Sequence, residues 1–126
     1  MSDDVSFRGR VSEDEKVSLL QASDLLIACA VREGWGLTVT EAARRGTPAA
    51  AYDVPGLRDS ILDGRTGVLT PPTPAALAAA AESLLRDPGR YEQVRHAAWD
   101  RARNLSWERT TDAFEQALQT ASSRVG

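Results

Sequence analysis

Two short apolar runs set the strongest limit on how this chain can fold. Leu25-Leu26-Ile27-Ala28-Cys29-Ala30 and Ala49-Ala50-Ala51-Tyr52 are each of strand length, and a segment of helical period lies between them. A strand, a helix and a second strand on short links form a βαβ unit, which sets the two strands parallel in one sheet. The first strand, expected from Asp24 to Ala30, is nearly all apolar, as in a strand covered on both faces. The small residues of Ala49–Tyr52 suit close helix packing, and the crossover is expected to be right-handed.

The alternation extends in both directions. Val5-Ser6-Phe7 reads as a strand ended by Gly9. Ser12 then caps a helix, Glu15 completes a capping box, and Val17, Leu19 and Leu20 form its apolar side. A helix is expected from Leu37 to Arg45, stopped by Gly46 and Pro48. Gly56 to Asp63 reads as a short helix and Thr66 to Thr70 as a fourth strand. Thr73 caps a helix with Pro74 in its first turn, and Leu77, Leu84 and Leu85 lie along it. Asp87-Pro88-Gly89 breaks the chain before a helix running through Trp99. Ser106 opens a last helix, on which Trp107, Phe114 and Leu118 form one stripe. The expected fold class is α/β, a Rossmann-like parallel sheet with helices on both faces. Only four strands are legible, where a complete doubly wound sheet has about five or six, so the sheet reads as incomplete at the N-terminus. Residues 1–105 are expected to form this partial domain, and 106–126 a C-terminal helix packing on or beside it.

At 126 residues the chain is one domain or part of one, long enough to bury a single core. A net charge of −3 gives no general attraction to nucleic acid or an acidic membrane. Arginines gather toward the C-terminus, but Asp87, Glu92, Asp100 and Glu108 lie among them, which reads as a salt-bridged helix face. Cys29 is the only cysteine; no intrachain disulfide can form, a reducing cytoplasm fits, and the residue is expected to be a small buried apolar one. No signal peptide is expected from the acidic start of the sequence, and no apolar stretch in it approaches the ~18 residues of a membrane span. His96 reads as an ordinary surface or packing residue.

The chemistry gathers at Glu33-Gly34-Trp35-Gly36-Leu37-Thr38-Val39-Thr40-Glu41. This segment joins the end of one strand to the start of a helix, and open parallel sheets bind ligands at the carboxyl ends of their strands. The glycines permit close approach to the backbone. The amides of Gly36, Leu37 and Thr38 are unpaired at a helix N-terminus, where a diphosphate fits. At about 100° per residue, Val39, Ala42 and Ala43 share the core stripe and Glu41 points away from it. Glu41 is then either an ordinary exposed glutamate or an acceptor for sugar hydroxyls. Glu33 either complements the helix dipole or does the same for a second polyol. The third glycine of a dinucleotide fingerprint is absent.

The segment Glu33 to Ala42 resembles the E-x7-E region of retaining GT-B glycosyltransferases of the large glycosyltransferase family 4 (group 1). Val5-Ser6-Phe7-Arg8-Gly9-Arg10-Val11 is similar to that family's V-x-F-x-G-x-V strand, and Gly46-Thr47-Pro48 to its G-x-P. Asp63-Gly64-Arg65-Thr66-Gly67-Val68-Leu69 resembles its D-G-x-T-G-L-L, and Ser106-Trp107-Glu108 its late S-W-E. These segments follow one another along nearly the whole chain. The resemblance implies the C-terminal, donor-binding half of a two-domain enzyme that transfers a hexosyl group from a UDP- or GDP-hexose. It implies that Glu33, the candidate catalytic residue, binds hydroxyls of the donor hexose, and that Glu41 binds the ribose. The backbone from Gly34 through Trp35, Gly36 and Leu37 to Thr38 would hold sugar and diphosphate, with the Trp35 ring as packing support. The Asp53-Val54-Pro55-Gly56 loop would lie near the donor. No metal or other cofactor is implied.

Departures limit what the chain does alone. The family's diphosphate-binding arginine and lysine lie upstream of anything matched here, and Lys16, the only lysine, sits on the capped helix instead. The resemblance implies an acceptor-binding N-terminal domain beyond the matched segments, so this chain by itself is expected to transfer little. Two other classes compete: a half-domain that binds nucleotide sugar weakly beside a separate chain, and a non-catalytic piece that self-associates through an uncovered sheet edge.

Overall fold

Ser12 opens the first regular element. Its side chain accepts the Glu15 amide at 3.2 Å and so caps α1, Glu13–Ala22. The computed structural model describes residues 4–30, 37–105 and 114–122. Along them follow β1 (Leu26–Ala28), α2 (Leu37–Arg44), β2 (Ala49–Tyr52), α3 (Leu57–Ser60), β3 (Gly67–Thr70), α4 (Pro74–Leu85) and α5 (Pro88–Arg103). Residues 114–122 are helical as well.

The sheet is parallel, in the order β1-β2-β3. Leu26 pairs with Ala49 and Ala28 with Ala51; Ala49 pairs with Gly67 and Tyr52 with Thr70. All four residues of β2 are buried, so both faces of the central strand are covered by the flanking helices. The α/β class with a parallel sheet and helices around it is therefore what the alternation of runs implied.

The core runs from β2 through Val54, Leu57 and Ile61 to Leu77, Leu84 and Val94. A smaller cluster of Ala43, Ala98 and Ala102 lets α2 and α5 approach closely. Thr73 accepts the Ala76 amide to cap α4, and Asp87 accepts the Arg90 amide to cap α5. Leu77 and Leu84 face inward on α4, while Leu85 is exposed.

Four expectations fail. Val5–Phe7 is not a strand: Val5 and Phe7 are 54% and 78% exposed. The sheet begins with β1, and a segment with no neighbour to complete its hydrogen bonds has nothing to hold it extended. β1 is three residues long and lies at the sheet's edge, so Ile27 is 47% exposed rather than covered. Cys29 lies past the end of β1 and is exposed, not buried. Phe114 and Leu118 are exposed, so they form no buried stripe; Trp107 and the Ser106 start lie outside the described residues.

The C-terminal arginines are largely the salt-bridged face expected. Arg86 pairs with Glu82, Arg95 with Glu92 and Arg103 with Asp100, at 2.6–2.9 Å. Arg101 serves the fold instead: its guanidinium donates to the Ser60 carbonyl at 2.6 Å and the Asp59 carbonyl at 3.3 Å, closing the end of α3 onto α5.

Candidate functional site

α2 follows β1 and precedes β2, so its N-terminus stands at the carboxyl ends of the parallel strands. Leu37 and Thr38, its first residues, are both exposed. Beside them a cavity of about 200 Å³ is lined by Ala28, Cys29 and Ala30 of the β1 end, by Thr38 and Val39, and by Leu57. Glu33, Gly34, Trp35 and Gly36 lie outside the described residues.

The rest of α2 is set by its apolar stripe. Val39, Ala42 and Ala43 are buried, as their spacing implied. That orientation turns Glu41 outward, with its side chain 42% exposed, toward α1. There Lys16 Nζ lies 2.7 Å from Glu41 Oε2. Hydrogen bonding to Glu41 raises the Lys16 pKa above the ordinary lysine value, partial burial opposes the shift, and the charges of Glu41 and Glu13 add to it. The sequence places Lys16 on the capped helix, apart from the candidate site. The signal that could have found it is topological: α1 leads into β1, so it runs opposite to the strands, and its first turns lie beside those of α2.

The other matched motifs occupy scaffold positions. Gly46 ends α2 at φ +85°. The buried Thr47 hydroxyl donates to the Leu20 carbonyl at 2.5 Å, with the Ser23 carbonyl at 3.1 Å, and so ties the end of α1 to the start of β2. Pro48 follows, and its carbonyl accepts the Leu26 amide at 2.9 Å. In the Asp63–Gly67 turn, Asp63 Oδ1 accepts the Leu69 amide and Thr66 Oγ1 the Leu62 amide, each at 2.9 Å. Gly67 has no room for a side chain, since a Cβ there would meet the Ala49 carbonyl oxygen at 2.5 Å. At the carboxyl end of β2, Asp53 is exposed and held by Arg58 Nε at 2.7 Å. His96 is exposed, its ring 5.9 Å from that of Trp99.

The family model described as "Glycosyl transferases group 1" matches residues 1–101. The chain belongs to this family. Among curated relatives, it is 31% identical over 124 residues to a D-inositol 3-phosphate glycosyltransferase of Streptomyces bingchenggensis, covering 94% of this chain and 27% of the relative. It is 35% identical over 120 residues to the glycogen synthase of Mycobacterium tuberculosis, covering 94% and 27% respectively. Among solved structures, sucrose-phosphate synthase of Thermosynechococcus elongatus superposes with a TM-score of 0.85 at 28% identity, over 97% of this chain and 31% of that one. Anabaena HepE in complex with UDP superposes with a TM-score of 0.71 at 25% identity, over 83% and 29%. The chain thus spans just over a quarter of the length of these curated relatives.

No helix among the described residues is long and apolar enough to cross a membrane. No group of three or more His, Cys, Asp or Glu among them could hold a metal ion.

Proposed function

We propose that this chain is the nucleotide-sugar seat of a retaining GT-B glycosyltransferase of the family 4 branch, with a UDP-hexose as donor. The carrying observation is the start of α2, exposed beside the cavity at the end of β1, in a member of a family whose structural relative HepE was solved with UDP.

In this reading each part of the segment has one task. The Leu37 and Thr38 amides, with those of Gly34 to Gly36, receive the diphosphate, whose charge the helix dipole favours. Glu41 accepts hydrogen bonds from the ribose hydroxyls, one turn in from the amides. Glu33, on the other side of the diphosphate, accepts from the hexose hydroxyls and is the candidate catalytic residue. Trp35 supports the loop by packing. Amides and dipoles aimed at the departing diphosphate stabilise the charge that develops as the glycosidic bond breaks. The leaving diphosphate then assists the acceptor on the same face of the sugar, which retains configuration. The acceptor is held by a second domain working with this one in the cytoplasm, and that domain sets acceptor choice.

Calorimetric titration of UDP and UDP-glucose into variants tests these roles. Glu41→Ala should weaken both ligands about tenfold, the loss of hydrogen bonds to a charged group. Glu33→Ala should weaken UDP-glucose similarly and leave UDP within about twofold. Equal losses for UDP in the two variants, or no UDP binding by the parent chain, would overturn the assignment.

A further inference from the structure

The only lysine of the chain is committed to the residue assigned above to the ribose. Lys16 and Glu41 come from different helices that meet at the carboxyl ends of the strands, because α1 descends into β1 and α2 descends from it. Lys16 Nζ takes Oε2 of Glu41 at 2.7 Å. The ion pair uses one carboxylate oxygen, and the Glu41 side chain is 42% exposed. The Lys16 side chain is itself 32% exposed. The backbone beneath it is fixed, since Lys16 donates its amide to the Ser12 carbonyl at 2.9 Å in the first turn of a capped helix.

A free glutamate side chain samples several rotamers, and a ligand that needs one of them must restrict the others on binding. A cation anchored on a neighbouring helix selects one rotamer before the ligand arrives. It takes one carboxylate oxygen and leaves the second for an incoming donor. We infer that Lys16 is a positioning residue for the ribose site: it holds Glu41 through Oε2 so that Oε1 faces the sugar hydroxyls. This rests on the assignment of Glu41 to the ribose. Lys16 acts through Glu41 and does not itself touch the diphosphate.

A double-mutant cycle on the 126-residue chain, read by UDP affinity, tests this. Lys16→Met should weaken UDP about three- to fivefold, the scale of a partly exposed ion pair, and Lys16→Arg should restore most of it. In a Glu41→Ala background, Lys16→Met should change UDP affinity less than about twofold, because the carboxylate it positions is gone. Thermal unfolding of each variant separates a loss of affinity from a loss of fold. An equal loss from Lys16→Met with and without Glu41 would show a direct cation–diphosphate contact and overturn the positioning role. If Glu41→Ala weakens UDP while Lys16→Met does not, the inference fails and the ribose assignment stands. If Glu41→Ala leaves UDP affinity unchanged, both fail together.

Discussion

The start of α2 and the turn from Asp63 to Gly67 both carry family-like motifs, and they use their polar groups in opposite ways. In the turn, the Asp63 carboxylate and the Thr66 hydroxyl each accept a backbone amide within a few residues, and Gly67 leaves room for the Ala49 carbonyl. Those groups serve the chain itself. On α2, Leu37 and Thr38 stand exposed at the helix start, and Glu41 projects from the surface with one oxygen on Lys16. A motif whose hydrogen bonds close internally serves the fold; under the proposed function, the exposed start of α2 is the one that meets a ligand.

That contrast is easiest to break at Gly67. Gly67→Ala should cost about 3 kcal/mol or more, since the added methyl meets backbone rather than a movable side chain. Denaturant unfolding would show it as a lower midpoint. Retention of full stability would mean that the turn is not the structural element described. Thr47→Val comes next. It removes a buried donor and leaves the Leu20 carbonyl short of a partner, at a cost of about 1–3 kcal/mol in the same experiment. Glu41→Ala should cost the least, under about 1 kcal/mol, because it removes only a partly exposed ion pair. A large stability loss from Glu41→Ala would place that residue with the scaffold and erase the distinction.

Much of the scaffold was legible because its signals are local. The caps at Ser12 and Thr73, the break at Asp87-Pro88-Gly89, the bounds of β2 and the inward stripe of α2 all follow from neighbouring residues. Errors arose where a residue's state depends on what lies beside it in space. Val5–Phe7 has strand composition but no paired neighbour, and Ile27 and Cys29 have core composition at the edge and end of β1. α5 continues past Trp99 to Arg103, with Asn104 as its cap. At the site, spacing alone could turn Glu41 away from the core but could not bring Lys16 to it. Twenty-five residues and a strand separate the two, and only the parallel topology joins their helices at one end of the sheet.

The most direct test of the account is an amide chemical-shift titration of the chain with UDP. Saturable shifts are predicted for the amides of Gly34 to Thr38 and for Glu41, with those of Asp63 to Gly67 unmoved. No shift at millimolar UDP, or shifts confined to the Asp63–Gly67 turn and α5, would contradict a nucleotide-sugar seat at the start of α2.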